Sequence, residues 1–220
     1  YDLTSIAVVD SESKLVGIIT IDDIIDIIEE ETTEDIEKMA AILPTEKSYL
    51  KLSTFDLWKS RIPWLLLLMI SATFTGKIIQ HFEQSLAACV ILTSFIPMLM
   101  DTGGNAGGQS SATIIRALSL NDIEFKDIFK VILKEIKVAF VISITLALAN
   151  FLKLIFIDGV TTNIALVVCL TLVLTVCVAK IVGCSLPIIA KKIGFDPAVM
   201  ASPFITTIVD AISLLIYFEI

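Results

Sequence analysis

Asp210 stands in an apolar run, Pro203 to Tyr217, with Ile205, Val209, Ala211, Ile212 and Leu214 around it. A carboxylate inside a hydrocarbon-length segment costs about 2.5–3.5 kcal/mol on insertion scales, so it marks a functional site by default. Facing an aqueous path, Asp210 would attract a cation. It could instead pair with Lys180, the one base well inside its own run, or be held protonated. Oxygen donors without soft ligands select Mg²⁺, Ca²⁺ or Mn²⁺ over zinc or copper. Mg²⁺ sheds water reluctantly and binds through one or two carboxylates with waters retained. One carboxylate per subunit, doubled by a two-fold axis, suits a hydrated Mg²⁺. Thr206 and Thr207, a helical turn or less away, are placed to bond its waters.

A second stretch departs from apolar character, from Pro97 through Met98-Leu99-Met100-Asp101-Thr102 to Gly103-Gly104-Asn105-Ala106-Gly107-Gly108-Gln109 and on to Thr113. Polar or irregular backbone at membrane depth is tolerated only against protein or a water-filled cavity. The stretch reads as a pore wall, with backbone carbonyls and the Asn105 amide as oxygen donors. It also reads as a close-packing face, since small residues let helices approach. The two readings are compatible. No Lys-Ser or Lys-Thr follows the glycines, which excludes a Walker-type phosphate loop.

A third concentration is acidic: Asp22, Asp23, Asp26, Glu29, Glu30, Glu31, Glu34 and Asp35. Asp22 to Asp26 and Glu31 to Asp35 are like-charge i,i+4 pairs, each repulsive by a few tenths of a kcal/mol. Divalent cations relieve such repulsion, which makes the segment a candidate cation sensor. It also reads as an ordinary solvated helix.

The elements that must carry these residues divide the chain. Of the 220 residues, 56% are hydrophobic, above the roughly 45–50% of a soluble domain. Residues 1–60 carry fourteen acids and five bases, while residues 61–220 are nearly neutral. Ile6–Val9 and Leu15–Ile19 are strand-like runs joined by Asp10-Ser11-Glu12-Ser13-Lys14, which has hairpin-turn chemistry. Thr20 caps a helix that begins at Ile21. Residues 31–60 are polar and helical in part, from Glu34 to Ala41, with a break at Pro44. Tyr1 opens in mid-pattern, as a chain cut from a longer one would.

Five hydrophobic spans make up the remainder. They cover about residues 62–79, 86–100 with a more polar continuation to 118, 131–157, 164–189 and 198–220. Each reaches or approaches the ~20 residues that cross the hydrocarbon. Basic residues cluster before span one, between spans two and three, and between spans four and five. All three clusters fall on one side, placing the amino end in the cytoplasm and the carboxyl end outside. A multi-pass protein of the cell membrane is expected, in contact with lipid. The acidic soluble end argues against nucleic acid as a partner. Cys89, Cys169, Cys177 and Cys184 lie in apolar runs and read as packing residues. With no Cys/His cluster there is no zinc site, and with no nucleophile–base pair no enzyme is expected.

Three stretches resemble the MgtE family of magnesium channels, and the likeness covers nearly all of the chain. LVGIITIDDIIDIIEEETTEDIEKMAAI resembles the end of a CBS domain running into the family's connecting "plug" helix. PMLMDTGGNAGGQSSATIIRAL is similar to its second membrane helix, and DPAVMASPFITTIVDAISLLIYF to its fifth. The resemblance implies an all-α domain of five transmembrane helices preceded by an α/β CBS remnant. Residues 1–31 would be the remnant, 32–60 the connecting helix and 61–220 the pore domain. It implies a homodimer with its pore between subunits, selecting hydrated Mg²⁺ at Asp210. The pore lining would include Gly103, Gly104, Asn105, Gly107, Gly108, Ser202, Thr206 and Thr207. Cytoplasmic Mg²⁺ would close the pore through Asp2, Asp23, Asp26, Glu31, Glu34 and Asp35. Gly108 and Ser202 stand where the family often has Asn. A coupled carrier exchanging a divalent cation for Na⁺ or H⁺ and a non-transporting sensor are the competing functions.

Overall fold

The computed structural model describes residues 3–45 and 47–220, with side-chain surroundings for all of these except Ser85, Ala88 and Ser202. β1 (Ser5–Val9) and β2 (Leu15–Thr20) pair antiparallel, Ser5 opposite Thr20 and Val9 opposite Leu15. Asp10 builds the turn between them: its Oδ1 accepts the Glu12 and Lys14 amides at 2.9 Å each. Such side-chain bonding to the next few amides is why Asp opens turns. Thr20 then starts α1 (Ile21–Met39) with a reciprocal cap, its hydroxyl toward the Asp23 amide and the Asp23 carboxylate accepting the Thr20 amide at 2.7 Å.

α1 runs unbroken through Glu31, so the boundary expected at residues 31 and 32 falls inside one helix. Over 32–60 the helix is only partial, with the break expected at Pro44. α1 ends at Met39, residues 42–45 have no regular secondary structure, Tyr49–Lys51 forms one 3₁₀ turn, and α2 (Thr54–His81) begins behind a Ser53–Asp56 cap. Proline disfavours helix in the residue before it, and the second cap restarts the helix only at Thr54. His81 is the last residue of α2.

The membrane block continues with α3 (Glu83–Ala88), a 3₁₀ turn (Val90–Phe95) and α4 (Ile96–Ser119). Next come α5 (Ile128–Phe156), α6 (Thr162–Lys192), a 3₁₀ turn (Pro197–Met200) and α7 (Ser202–Glu219). Among the described residues, four helical stretches are long and apolar enough to cross a membrane: α2, α5 with the short turn before it, α6, and α7 with its preceding turn. α4 has the length, 24 residues, but its polar content keeps it out of that group. The second expected span is discontinuous. Cys89, at φ −143° and ψ 79°, separates α3 from the 3₁₀ turn at Val90, and Pro97 sits in the first turn of α4 where its missing N–H costs nothing. The fifth is likewise interrupted by extended Ala201, so α7 starts at Ser202.

α6 is the hub. α4 and α5 both lie along it, α7 packs across α4 and α6, and α2 touches the others mainly through α7. Leu99, Leu172, Val176, Ile205, Val209 and Leu214 fill the space between them. Lipid gives helices no hydrophobic drive to associate, so close packing of small residues must supply it. Gly183 of α6 does this most directly: a Cβ there would fall on the Gly107 carbonyl oxygen and within 3.0 Å of the Gly107 Cα.

Gly183→Ala should therefore push α4 and α6 apart and lower stability by about 1–3 kcal/mol, the usual cost of overpacking. Gly76→Ala, where nothing lies within 4 Å, should be neutral or stabilising by up to about 1 kcal/mol. Thermal unfolding of both variants in detergent checks the pair, and equal midpoints would contradict the backbone contact.

Candidate cation site

α4 has two faces. Asp101, Asn105 and Gln109 are exposed and Gly108 is half-buried, a line at helical spacing. Gly103, Gly104 and Gly107 lie on the other side, where the packing is tightest. A Cβ on Gly103 would meet Thr175 and Val209, one on Gly104 would meet Thr206, and one on Gly107 would meet Ile205 and the Ala179 carbonyl. These three glycines are packing positions within the chain, because their Cα atoms point into α6 and α7. The open polar line of the helix belongs to Asp101, Asn105, Gly108 and Gln109.

Asp210 is half-buried near the middle of the 18-residue α7. Eight rises from Ser202 put it about 12 Å along the helix. Counted from Pro197 the path is longer, but the extended Ala201 resets the start. Asp101 of α4 is near enough to act electrostatically on Asp210. Two carboxylates, one from α4 and one from α7, thus face a common polar region. Thr206 and Thr207 are half-buried beside them, and both hydroxyls donate to the Pro203 carbonyl, at 2.9 and 3.1 Å. Their protons are committed, which leaves oxygen lone pairs to accept from waters. The Ser202 side chain lies outside the described residues.

Lys180 does not pair with Asp210. Its ammonium is 3.5 Å from Glu135 of α5 and donates to Ser110 of α4 at 3.1 Å. Sequence reasoning missed both Asp101 and Glu135. Asp101 is four residues before Asn105, which shares its face, and that spacing was a usable signal. Glu135 sits among Lys130, Lys134 and Lys137 and reads as an interfacial charge; only the packing of α5 on α6 turns it inward.

The acids of the soluble end scatter. Asp2 lies outside the described residues. Asp23 is engaged in the helix cap, accepting from both the amide and the hydroxyl of Thr20, which holds its carboxyl below its ordinary value. Asp26 and Glu31 are exposed. Glu34 and Asp35 are half-buried and converge on Lys38, which pairs with Glu34 and, at 2.6 Å, with Asp196 ahead of α7. Among the described residues, no three Asp, Glu, His or Cys side chains gather closely enough to hold a metal ion by themselves. Burial alone would lower the Lys38 ammonium; hydrogen bonds and charges from Asp196 and Glu34 outweigh it and hold it above its ordinary value. Burial first, and then the Asp196 charge, raise the Asp35 carboxyl.

Long apolar helices around a polar, carboxylate-bearing interior define a multi-pass helical membrane protein. Residues 96–220, from the start of α4 to the end, match the family model of MgtE, described as a divalent cation transporter. The chain belongs to the MgtE family. It is 39% identical over 220 residues to the magnesium transporter MgtE of Thermus thermophilus, 38% over 224 to that of Bacillus subtilis and 34% over 222 to that of Enterococcus faecalis. Each match covers 100% of this chain and 48% of the relative, so the chain spans about half the length of these curated proteins.

Lys38→Met should loosen α1 from the membrane block by about 1 kcal/mol, the scale of a partly exposed ion pair. Faster proteolysis between Ala40 and Ser53 would register it. Because the folded-state value of Lys38 is raised, its contribution is complete below the unfolded value of about 10.4 and is lost only as pH rises through the higher folded value. Asp35 is also raised, so docking strengthens as pH falls through its folded value toward the unfolded value of about 3.9. Proteolysis that speeds up between neutral pH and pH 5 would contradict that sign.

Proposed function

We propose that this chain is the membrane half of a Mg²⁺ channel that passes the hydrated ion through a pore between two copies of itself. The observation that carries the reading is the open polar line shared by α4 and α7, with Asp101, Asn105, Thr206 and Asp210. Its negative charge has no basic partner among the described residues, and a two-fold axis beside it would double the carboxylates around one ion. Mg²⁺ keeps several waters when it binds few carboxylates. The threonine oxygens, their protons committed to Pro203, are acceptors suited to those waters. The names of the relatives, magnesium transporter, support the choice of ion.

In this reading α4 is the fifth crossing. Its 24 residues span about 36 Å, and its polar line is tolerable at that depth only if it faces water. The hairpin and the start of α1 form the end of a CBS module. Ile6, Val16, Ile18, Ile24, Ile25 and Ile28 are exposed there, an apolar surface that the rest of such a module would cover. Cytoplasmic Mg²⁺ drawing the acids of α1 together would act on the pore through α1. The amino end is cytoplasmic, as the basic clusters require.

Asp210→Asn in proteoliposomes should cut Mg²⁺ uptake by about tenfold or more, since removing one preorganised charge costs at least that. Asp101→Asn should weaken it less. Uptake at the unaltered rate in the Asp210 variant would sink the reading. A coupled carrier is the second reading, favoured by the helix breaks at Cys89 and Ala201, which are a carrier feature. Mg²⁺ flux that tracks the electrical gradient and ignores imposed Na⁺ and pH gradients separates the channel from the carrier.

A further inference from the structure

Glu135 and Lys180 are charged groups at helix depth that the cation site does not use. Lys180 is 4% exposed and Ser110 2% exposed, and the Glu135 side chain is 15% exposed. The Ser110 hydroxyl donates to Glu135 Oε2 at 2.5 Å and accepts from Lys180 Nζ at 3.1 Å, while ammonium and carboxylate lie 3.5 Å apart. Three helices are joined by one closed set of bonds: α4 through Ser110, α5 through Glu135 and α6 through Lys180. A buried ion pair whose remaining bonds are satisfied is a recognised way to specify register.

The place of this set matters. Gly107 and Ser110 are three residues apart on α4, and Lys180 and Gly183 three apart on α6, so the polar set lies one turn from the backbone contact of Gly107 with Gly183. A glycine face is smooth. Gly103, Gly104 and Gly107 offer no side chain to lock into a groove, so along this stretch α4 itself supplies no side-chain lock, while Leu99, Ile114 and Leu118 grip its two ends. Directional hydrogen bonds to Ser110 supply the missing constraint. Rotation of α4 about its axis decides whether Asp101 and Asn105 stand beside Asp210 or turn toward lipid. The ion pair is also neutral in itself and leaves the charge of the cation site uncompensated.

We infer that Lys180 and Glu135 are positioning residues for the cation site, acting through Ser110 to fix the rotation of α4 and keep Asp101 and Asn105 beside Asp210. The inference rests on the proposed function, and its test separates the two. The full chain, Ser110→Ala, Lys180→Met and the exchanged pair Lys180→Glu with Glu135→Lys are reconstituted in liposomes. Mg²⁺ and Ca²⁺ fluxes are measured for each, with thermal midpoints in detergent. Ser110→Ala removes one hydroxyl and leaves the ion pair, so it should keep its midpoint within a few degrees. Ser110→Ala and Lys180→Met should lose about tenfold in Mg²⁺ flux, as misplacement of a binding group by a fraction of an ångström does, and should narrow the preference for Mg²⁺ over Ca²⁺. The exchanged pair should recover both, because Ser110 can still donate to a carboxylate and accept from an ammonium. An unaltered Mg²⁺ flux and Mg²⁺:Ca²⁺ ratio in Ser110→Ala, with the parent conducting, overturns this inference alone. So does a loss in Lys180→Met that lowers both fluxes in proportion to a lowered midpoint. A parent chain that carries no Mg²⁺ overturns the proposed function and this inference with it.

Discussion

Gly107 and Gly183 bring the backbones of α4 and α6 into direct contact, and the arrangement of the membrane block depends on that approach. α4 is too polar to lie in lipid and has to be held in protein. With the glycines on one side, it sinks far enough between α6 and α7 to bury Ser110 and Ser111 along with Leu99, Ile114 and Leu118. The Ser111 hydroxyl reaches the Met200 carbonyl ahead of α7, and Lys191 of α6 donates to the Leu118 carbonyl at the end of α4, at 2.7 Å. Outside this packing remains the opposite line of Asp101, Asn105 and Gln109. The same contact that anchors the helix decides which of its residues are left open.

Charge inside the block is arranged in two ways. Glu135 and Lys180 cancel each other and share a hydroxyl. Asp101 and Asp210 reinforce each other, and no base among the described residues pairs with them. Every charge at membrane depth is expensive, so a pair of like charges survives only if something else stabilises it. A monovalent cation neutralises one of the two; a divalent cation answers both. In the proposed pore, two acids without a base would favour a doubly charged ion by simple Coulombic reasoning, before any ligand geometry is considered.

Local chemistry was legible where local residues decide the outcome. The Asp10–Lys14 turn and the Thr20 cap form as their side chains dictate, and α5 and α6 match their uninterrupted apolar runs within a few residues. The breaks at Cys89 and Ala201 were not legible. Neither residue is a helix breaker, and both sit in apolar surroundings, although Pro203 in the first turn of α7 is a local helix-start signal beside Ala201. The acids from Asp22 to Asp35 do lie on one helix, because their mutual repulsion is small beside the helix that Thr20 starts and Lys38 supports. The direction in which a residue faces was hardest to read. Sequence placed Gly103, Gly104 and Gly107 together with Asn105, yet helical rotation sets the glycines against α6 and α7 and leaves Asn105 open.

The soluble end and Asp210 are connected through a short mechanical path. Lys38 at the end of α1 holds one oxygen of Asp196, and the other accepts the Ala198 amide at 2.9 Å, opening the 3₁₀ turn Pro197–Met200. Met39, next to Lys38, packs against the buried cluster of Ile115 from α4 with Ala198 and Ala201. The end of α1 therefore touches both helices of the cation site at their common base. Beyond Ala201 only the nine residues of α7 up to Asp210 intervene, and a helix transmits displacement with little loss over so short a length. Ala201 is extended between two helical segments and buried against Ile115 and Ala198. In the proposed gating a shift of α1 would reach α7 there, while Ser110, Glu135 and Lys180 hold α4 to α5 and α6. Under the proposed function, such a shift would change the position of Asp210 relative to Asp101 while the glycine contact and the buried ion pair hold α4 to α6.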